Sequence, residues 1–158
     1  MDKNEIRTMF SKIKVVTRDG EKALHKPLLL LLVLGKYSRG QSRIIPFKDV
    51  EKELTSLLKK YGPTSKSSNP HLPFWRLHND GIWELINDEN LRDRKGHSNP
   101  TSKQMIDQNL MGGLLKDLYQ AITQDPGLLQ ELVQLLVDGF IPEQHAKSVL
   151  QDMWLEQG

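Results

Sequence analysis

The sequence contains no cysteine among its 158 residues. This absence excludes disulfide bonds, thiolate zinc sites, cysteine nucleophiles and cysteine-ligated iron–sulfur clusters. Long apolar runs are also missing, because the longest, residues 27–34, is far shorter than the roughly 18 residues of a membrane-spanning helix. The N-terminal residues lack the pattern of a secretory leader. We therefore expect a soluble, cytoplasmic protein that forms a single domain over residues 1–158 and has no membrane partner.

Motifs that support catalysis are missing as well. The five histidines form neither a His-x-x-x-His pair nor the cluster that a ββα-metal nuclease requires. No Gly-x-Ser-x-Gly elbow is present, and Gly112-Gly113 lacks the spacing of a phosphate-binding loop. We therefore expect no catalytic residue, no metal and no cofactor, and we expect the glycine pair to let two helices approach each other.

Charge is distributed unevenly along the chain, although the whole sequence has a net charge of only +2. Residues 1–80 contain 16 Lys and Arg against 8 Asp and Glu, a net charge of +8. Residues 81–103 contain four of each kind, and residues 104–158 contain 2 basic and 8 acidic residues, a net charge of −6. A basic first part suits a polyanion and an acidic last part repels one, although ordinary solvated faces would give the same counts.

Apolar spacing predicts helices in the first part of the chain. Residues 1–20 carry apolar side chains three and four apart, which predicts an amphipathic helix that ends before Asp19-Gly20. His25-Lys26-Pro27 begins a helix that is apolar on nearly all sides and is closed by Gly35, so we expect it to be buried. A short strand at residues 42–47 precedes a helix over residues 47–61.

Residues 73–86 predict a β-hairpin. Two aromatic and aliphatic runs flank Asp80-Gly81, a dipeptide typical of tight turns. Strand alternation would place Trp75 and Leu77 on one face, with Trp83 and Leu85 as their partners. The polar residues 64–72 stand where a winged helix usually has its recognition helix.

The last part of the chain predicts further helices. One helix is marked by the spacing of Met111, Leu114, Leu115, Leu118 and Ile122. Asp125-Pro126 opens a second helix that Gly139 closes, and Pro142 opens a third. The expected fold class is α+β, mainly α. It has a basic winged-helix-like core over residues 1–102, with its hairpin near residues 73–86, and an acidic helical part over residues 103–158.

Basic residues at helix ends and loop edges favour DNA binding. Lys and Arg contact phosphates regardless of sequence, and Arg also reads guanine in the major groove. Arg39, Lys66, Arg76 and His78 are candidate contacts, whereas the tryptophans are better explained as core. Two other functions stay open: a winged-helix-like regulator that binds ordinary duplex DNA, and an adaptor that binds protein through the acidic helices.

Two motifs, in this order and at this separation, resemble a known family. The first is His25-Lys26-Pro27 with the leucines that follow, and the second is the stretch from Pro73 to Leu85. Together they resemble the sulfur-binding domain of McrA-like, phosphorothioation-dependent HNH restriction endonucleases. The resemblance implies sequence-selective binding of double-stranded DNA in which sulfur replaces a non-bridging phosphate oxygen. It also implies a recognition domain that is not itself an enzyme, in a bacterial protein whose HNH nuclease domain lies outside these 158 residues.

The resemblance also implies roles for particular residues. Sulfur is larger and more polarisable than oxygen and is a poorer hydrogen-bond acceptor, so an apolar cup distinguishes the two atoms. The family's cup corresponds here to His25, the stem of Lys26, Leu72 and Pro73, with Arg76 three residues beyond. Some members have tyrosine where this chain has Leu72, so the cup here lacks that aromatic wall. The family reads neighbouring bases from a loop whose counterparts here are Arg92, Arg94, Lys95 and His97.

Overall fold

A computed structural model of the chain describes residues 2–18, 21–62, 69–92 and 99–154. The α-helices are α1 (Lys3–Ser11), α2 (His25–Ser38), α3 (Phe47–Tyr61), α4 (His71–Arg76), α5 (Glu89–Arg92), α6 (Ser102–Asp107), α7 (Lys116–Gln124), α8 (Pro126–Phe140) and α9 (Glu143–Trp154). The strands are β1 (Thr17–Arg18), β2 (Glu21–Lys22), β3 (Ile45–Pro46), β4 (Trp83–Ile86) and β5 (Met111–Leu114). A 3₁₀ turn, Leu77–Asp80, follows α4 directly.

Helix α2 lies at the centre of the fold. It packs against α3 and α4 and also against α8 and α9. Every residue from Pro27 to Tyr37 is buried, which explains why the leucine run has no polar face. The basic first part and the acidic helices therefore share one hydrophobic core.

A small antiparallel sheet has the strand order β3-β5-β4. Both glycines of β5 are required by close packing. A Cβ on Gly113 would lie 2.1 Å from the carbonyl oxygen of Arg43, and a Cβ on Gly112 would lie 2.8 Å from Nε1 of Trp83. The prediction that this pair brings two helices together is therefore wrong, because the glycines let a strand approach its neighbour and an indole ring.

The predicted hairpin over residues 73–86 is also wrong. Residues 71–76 are α-helical, and Gly81 adopts the left-handed conformation, with φ of +76°, at the end of the 3₁₀ turn. The second half of the prediction is a strand, β4, but it pairs with β5, where Trp83 lies opposite Leu114. Asp-Gly thus ends a helical turn here, since the left-handed conformation of glycine suits a helix end as well as a hairpin.

The first helix is shorter than its apolar spacing predicts. Helix α1 ends at Ser11, and Val16, one of the apolar residues with helical spacing in residues 1–20, is 56% exposed. The segment from Ile13 to Thr17 is rich in β-branched residues, which favour extended backbone. The chain continues into β1, which pairs with β2.

Other boundaries depart less from expectation. Helix α3 has the predicted bounds, and the side chain of Asp125 caps α8 by accepting from the backbone N–H of Leu128. Both α2 and α8 continue past the glycines, Gly35 and Gly139, that were expected to close them. The predicted helix over residues 111–122 is a strand followed by α7. The expected class, α+β and mainly α, is confirmed.

Candidate nucleic-acid interface

The two motifs singled out in the sequence meet where Lys26, in the first turn of α2, contacts Asp80 in the 3₁₀ turn that follows α4, and α2 also packs against α4. His25 and Lys26 are the first two residues of α2, and both are half-buried. In the first turn of α4, Leu72 is half-buried and Pro73 is buried, while Arg76 at its end is exposed. Proline fits both first turns, because the N–H that it lacks has no helical partner there.

The ammonium of Lys26 is held by a buried carboxylate. Its Nζ lies 2.6 Å from Oδ2 of Asp80, and the side chains are 14% and 2% exposed. The other carboxylate oxygen of Asp80 accepts a hydrogen bond of 2.8 Å from the backbone N–H of Lys14. Both oxygens are therefore engaged, and the charge of Lys26 is compensated within the protein.

Asp80 is the residue that sequence reasoning missed, because Asp80-Gly81 was interpreted as a hairpin turn. It is 54 positions from Lys26, so no local pattern connects the two. One signal was available: Asp80 is the only carboxylate residue between Glu53 and Glu84.

Two other candidate contacts are engaged within the protein. Arg92 pairs with Asp88, and its guanidinium carbon lies 5.9 Å from the ring centroid of Trp75. This contact joins the end of α5 to α4 through a cation–π interaction. Nδ1 of His78 contacts the carbonyl oxygen of Trp75, so this ring is turned back toward its own helical turn.

The remaining candidates lie apart from this junction. Arg39 follows the last residue of α2 and is 14 positions from His25, a distance of about 20 Å along a helix axis. The predicted contacts Lys66, Arg94, Lys95 and His97 lie outside the described residues.

His71, immediately before Leu72, is perturbed by burial. Burial lowers its pKa from the ordinary value, and the nearby charge of Arg76 lowers it further, while Glu51 acts in the opposite direction. Within the described part of the chain, its Nδ1 is buried without a hydrogen-bond partner. The ring borders an open cleft of about 510 Å³ between α3 and the beginning of α4.

Within residues 2–18, 21–62, 69–92 and 99–154, no group of three or more His, Asp or Glu side chains is arranged to hold a metal ion. None of the helices in the same ranges has the length and apolar character needed to span a bilayer.

The fold defines a class of mainly helical domains with a small antiparallel sheet. In this chain, residues of the two sequence motifs meet beside helix α2. The family model described as the ScoMcrA-like DNA sulfur-binding domain matches residues 3–158. The chain therefore belongs to this family of DNA sulfur-binding domains. No curated protein matches the chain.

Solved structures share the fold. The sulfur binding domain of ScoMcrA complexed with phosphorothioated DNA has a TM-score of 0.79 and 22% identity, with 96% of each chain covered. The sulfur binding domain of SprMcrA complexed with phosphorothioated DNA has a TM-score of 0.79 and 20% identity, with 100% of this chain and 98% of that chain covered. A third match is the type IV phosphorothioation-dependent restriction endonuclease ScoMcrA, with a TM-score of 0.79 and 21% identity. It covers 96% of this chain and 28% of that one.

Proposed function

We propose that this domain binds double-stranded DNA carrying a phosphorothioate and holds the sulfur in a shallow apolar cup at the junction of α2 and α4. His25, the methylene stem of Lys26, Leu72 and Pro73 line this cup, and Arg76 lies beside it as a phosphate contact. The observation that carries the proposal is the pairing of Lys26 with buried Asp80. This pairing leaves the stem of Lys26, rather than its ammonium, to face a ligand.

The cup discriminates between sulfur and oxygen, and charge supplies most of the affinity. Burying some tens of Å² of sulfur surface at about 25 cal/mol per Å² contributes on the order of 1 kcal/mol, or about tenfold in affinity. A phosphate oxygen in the same cup loses its hydration without gaining a donor, which increases the preference for sulfur. The remaining affinity comes from Lys and Arg contacts to the DNA backbone.

Base reading is proposed for the segment that follows α5. Arg94, Lys95 and His97 contact bases or phosphates there, and Lys66, His78 and Arg39 contact the backbone. Arg92 is a further proposed DNA contact. It also has a structural role, because its contacts with Trp75 and Asp88 hold the last residue of α5 against α4. Substituting Arg94 or Lys95 with alanine should therefore weaken binding or relax the base preference.

In its cellular setting, we propose that the domain recognises DNA for a bacterial, cytoplasmic restriction endonuclease that depends on the modification and carries its HNH nuclease in a separate domain. The match to the longer ScoMcrA chain, described as a type IV phosphorothioation-dependent restriction endonuclease, supports this proposal. On this proposal the domain by itself binds DNA and does not cleave it.

The test compares two duplexes that are identical except for a single Rp phosphorothioate. We expect at least about tenfold tighter binding of the sulfur-containing duplex, in line with the area estimate. Affinity for both duplexes should fall as salt increases, because phosphate contacts release counterions. Equal affinity for the two duplexes would contradict the proposal and favour a regulator of ordinary DNA. Absence of binding at low salt, together with capture of a protein partner, would favour an adaptor.

A further inference from the structure

The pair formed by Lys26 and Asp80 has a geometry that bears on selectivity as well as on folding. Lys26 is the only residue proposed to line the cup that carries a fixed positive charge. Its Nζ is 2.6 Å from Oδ2 of Asp80, and the Asp80 side chain is 2% exposed. Water has little access to a carboxylate that is so deeply buried, so it competes little for the ammonium, and the carboxylate holds its partner in one position.

We propose that Asp80 is a positioning residue that sets the preference for sulfur over oxygen by keeping the ammonium of Lys26 out of the cup. This inference rests on the proposed function of the α2 and α4 junction. It assigns selectivity to a residue that does not itself touch DNA.

The hydrogen-bond donors of Lys26 decide which atom the cup would favour if its ammonium were free. A free ammonium forms strong, charge-assisted hydrogen bonds with phosphate oxygen and weaker ones with sulfur. An ammonium at the cup would therefore favour ordinary DNA and reverse the advantage of an apolar lining. Asp80 prevents this outcome by accepting from Nζ, while its second oxygen accepts from the backbone N–H of Lys14.

The second contact makes a conservative test possible. In Asp80→Asn the amide oxygen still accepts from the Lys14 N–H, whereas the charge that holds Lys26 is removed. We expect this variant to bind the unmodified duplex about tenfold more tightly, so that the ratio of thio to oxo affinity falls about tenfold, a difference of about 1.4 kcal/mol. The affinity for the phosphorothioate duplex should change less.

A second substitution separates positioning from a purely structural role. Lys26→Met keeps an unbranched apolar stem and removes the ammonium. In the double variant, Asp80→Asn with Lys26→Met, no donor can enter the cup, so we expect the thio to oxo ratio to return to that of the original protein. A structural role for Asp80 alone would not produce such a recovery, because removing Lys26 does not restore the carboxylate.

The matched control lies ten residues further along α2. Lys36 is 8% exposed, and its Nζ lies 2.8 Å from Oε1 of Glu53. Glu53→Gln likewise removes the carboxylate partner of a buried lysine, but at a distance of about 15 Å along the helix from Lys26. We expect this variant to keep the original thio to oxo ratio.

Each outcome distinguishes the inference from the function on which it rests. Equal binding of both duplexes by the original protein would overturn the proposed function. A thio preference in the original protein that Asp80→Asn leaves unchanged would overturn only the role of Asp80. A loss of preference that the double variant does not recover would show that Asp80 acts through folding, and this too would overturn the inference. Circular dichroism of each variant establishes that the compared proteins are folded.

Discussion

The ion pair of Lys26 with Asp80, within the basic first half of the chain, and those made by the acidic last third differ in how far they are buried. Within the first half, the carboxylate of Asp80 is 2% exposed and binds Lys26. The acidic helices instead pair with the first half at the surface. In the pair formed by Arg7 and Glu131 the side chains are 36% and 52% exposed. In the pair formed by Lys60 and Asp152 they are 55% and 27% exposed.

The buried pair and the exposed pairs therefore have different roles: the first fixes the position of a side chain at the proposed site, and the others lie between two parts of the molecule. A buried pair is hard to break, because loss of one partner leaves an uncompensated charge away from water. An exposed pair contributes little and is screened by salt. The buried pair therefore fixes the junction where we place the cup, whereas the shared core holds the acidic helices against the first half and the exposed pairs add little.

The largest expected effect is a loss of stability when a tightly packed glycine of the sheet, rather than an uncrowded one in the acidic helices, is replaced by alanine. In Gly113→Ala the new Cβ would meet the carbonyl oxygen of Arg43 at 2.1 Å, so β5 and the segment just before β3 must separate. We expect a loss of about 3 kcal/mol or more in the free energy of unfolding, measured by urea denaturation. In the acidic helices, Gly139→Ala meets nothing within 4 Å, and we expect it to be neutral or to stabilise by up to about 1 kcal/mol. Similar losses in both variants would show that the sheet is not tightly packed.

The next effect tests the ion pairs directly through stability. Asp80→Asn should lower the free energy of unfolding by about 3 kcal/mol, because buried Lys26 loses its counter-ion. Glu131→Gln should cost less than about 1 kcal/mol, and this cost should disappear in 1 M salt. Thermal and urea unfolding at low and high salt measure both values. Equal costs would remove the distinction between buried and exposed pairs.

A smaller effect is expected on DNA selectivity from the lining of the cup. Pro73→Ala keeps the helix, because alanine fits the first turn of α4, but it removes apolar surface. We expect the thio to oxo affinity ratio to fall about fourfold for each methylene that the sulfur covers. The control in the acidic helices is Pro142→Ala, at an exposed proline just before α9. An unchanged ratio in Pro73→Ala would show that the cup lies elsewhere.

The smallest effect concerns pH. The pKa of His71 is lowered, mainly by burial, so the unfolded chain binds its proton more readily than the folded protein does. Stability from this group is complete above the ordinary pKa of 6.5 and is lost as pH falls below it.

Asp125, in the acidic part, provides the contrast. Its pKa is lowered mainly by the hydrogen bond from Lys3, so its contribution to stability persists until pH falls below 3.8.

The test of His71 is urea unfolding between pH 7.5 and 5. The free energy of unfolding should decline over this range, and His71→Gln should flatten the decline. A decline that persists in His71→Gln would assign it to another group.

Local features of this fold could be predicted from the sequence, and non-local ones could not. The bounds of α3, the Asp125 cap and the first turn of α2 follow from side chains within a few residues of each other, so they were predicted correctly. The Gly112-Gly113 pair and the hairpin were misinterpreted. In both cases the deciding contact, with Arg43 or with β5, comes from a distant part of the chain.

The sequence by itself determined the mainly helical class, the buried leucine helix and the two motifs that identify the family, because these depend on residue order and short-range spacing. Tertiary structure alone decided that β4 pairs with β5, that Pro73 lies in the first turn of a helix and that Asp80 holds Lys26. Strand pairing and burial of an ion pair depend on which distant segments the core brings together. A dipeptide such as Asp80-Gly81 satisfies the local preferences of a hairpin and of a helix end equally well.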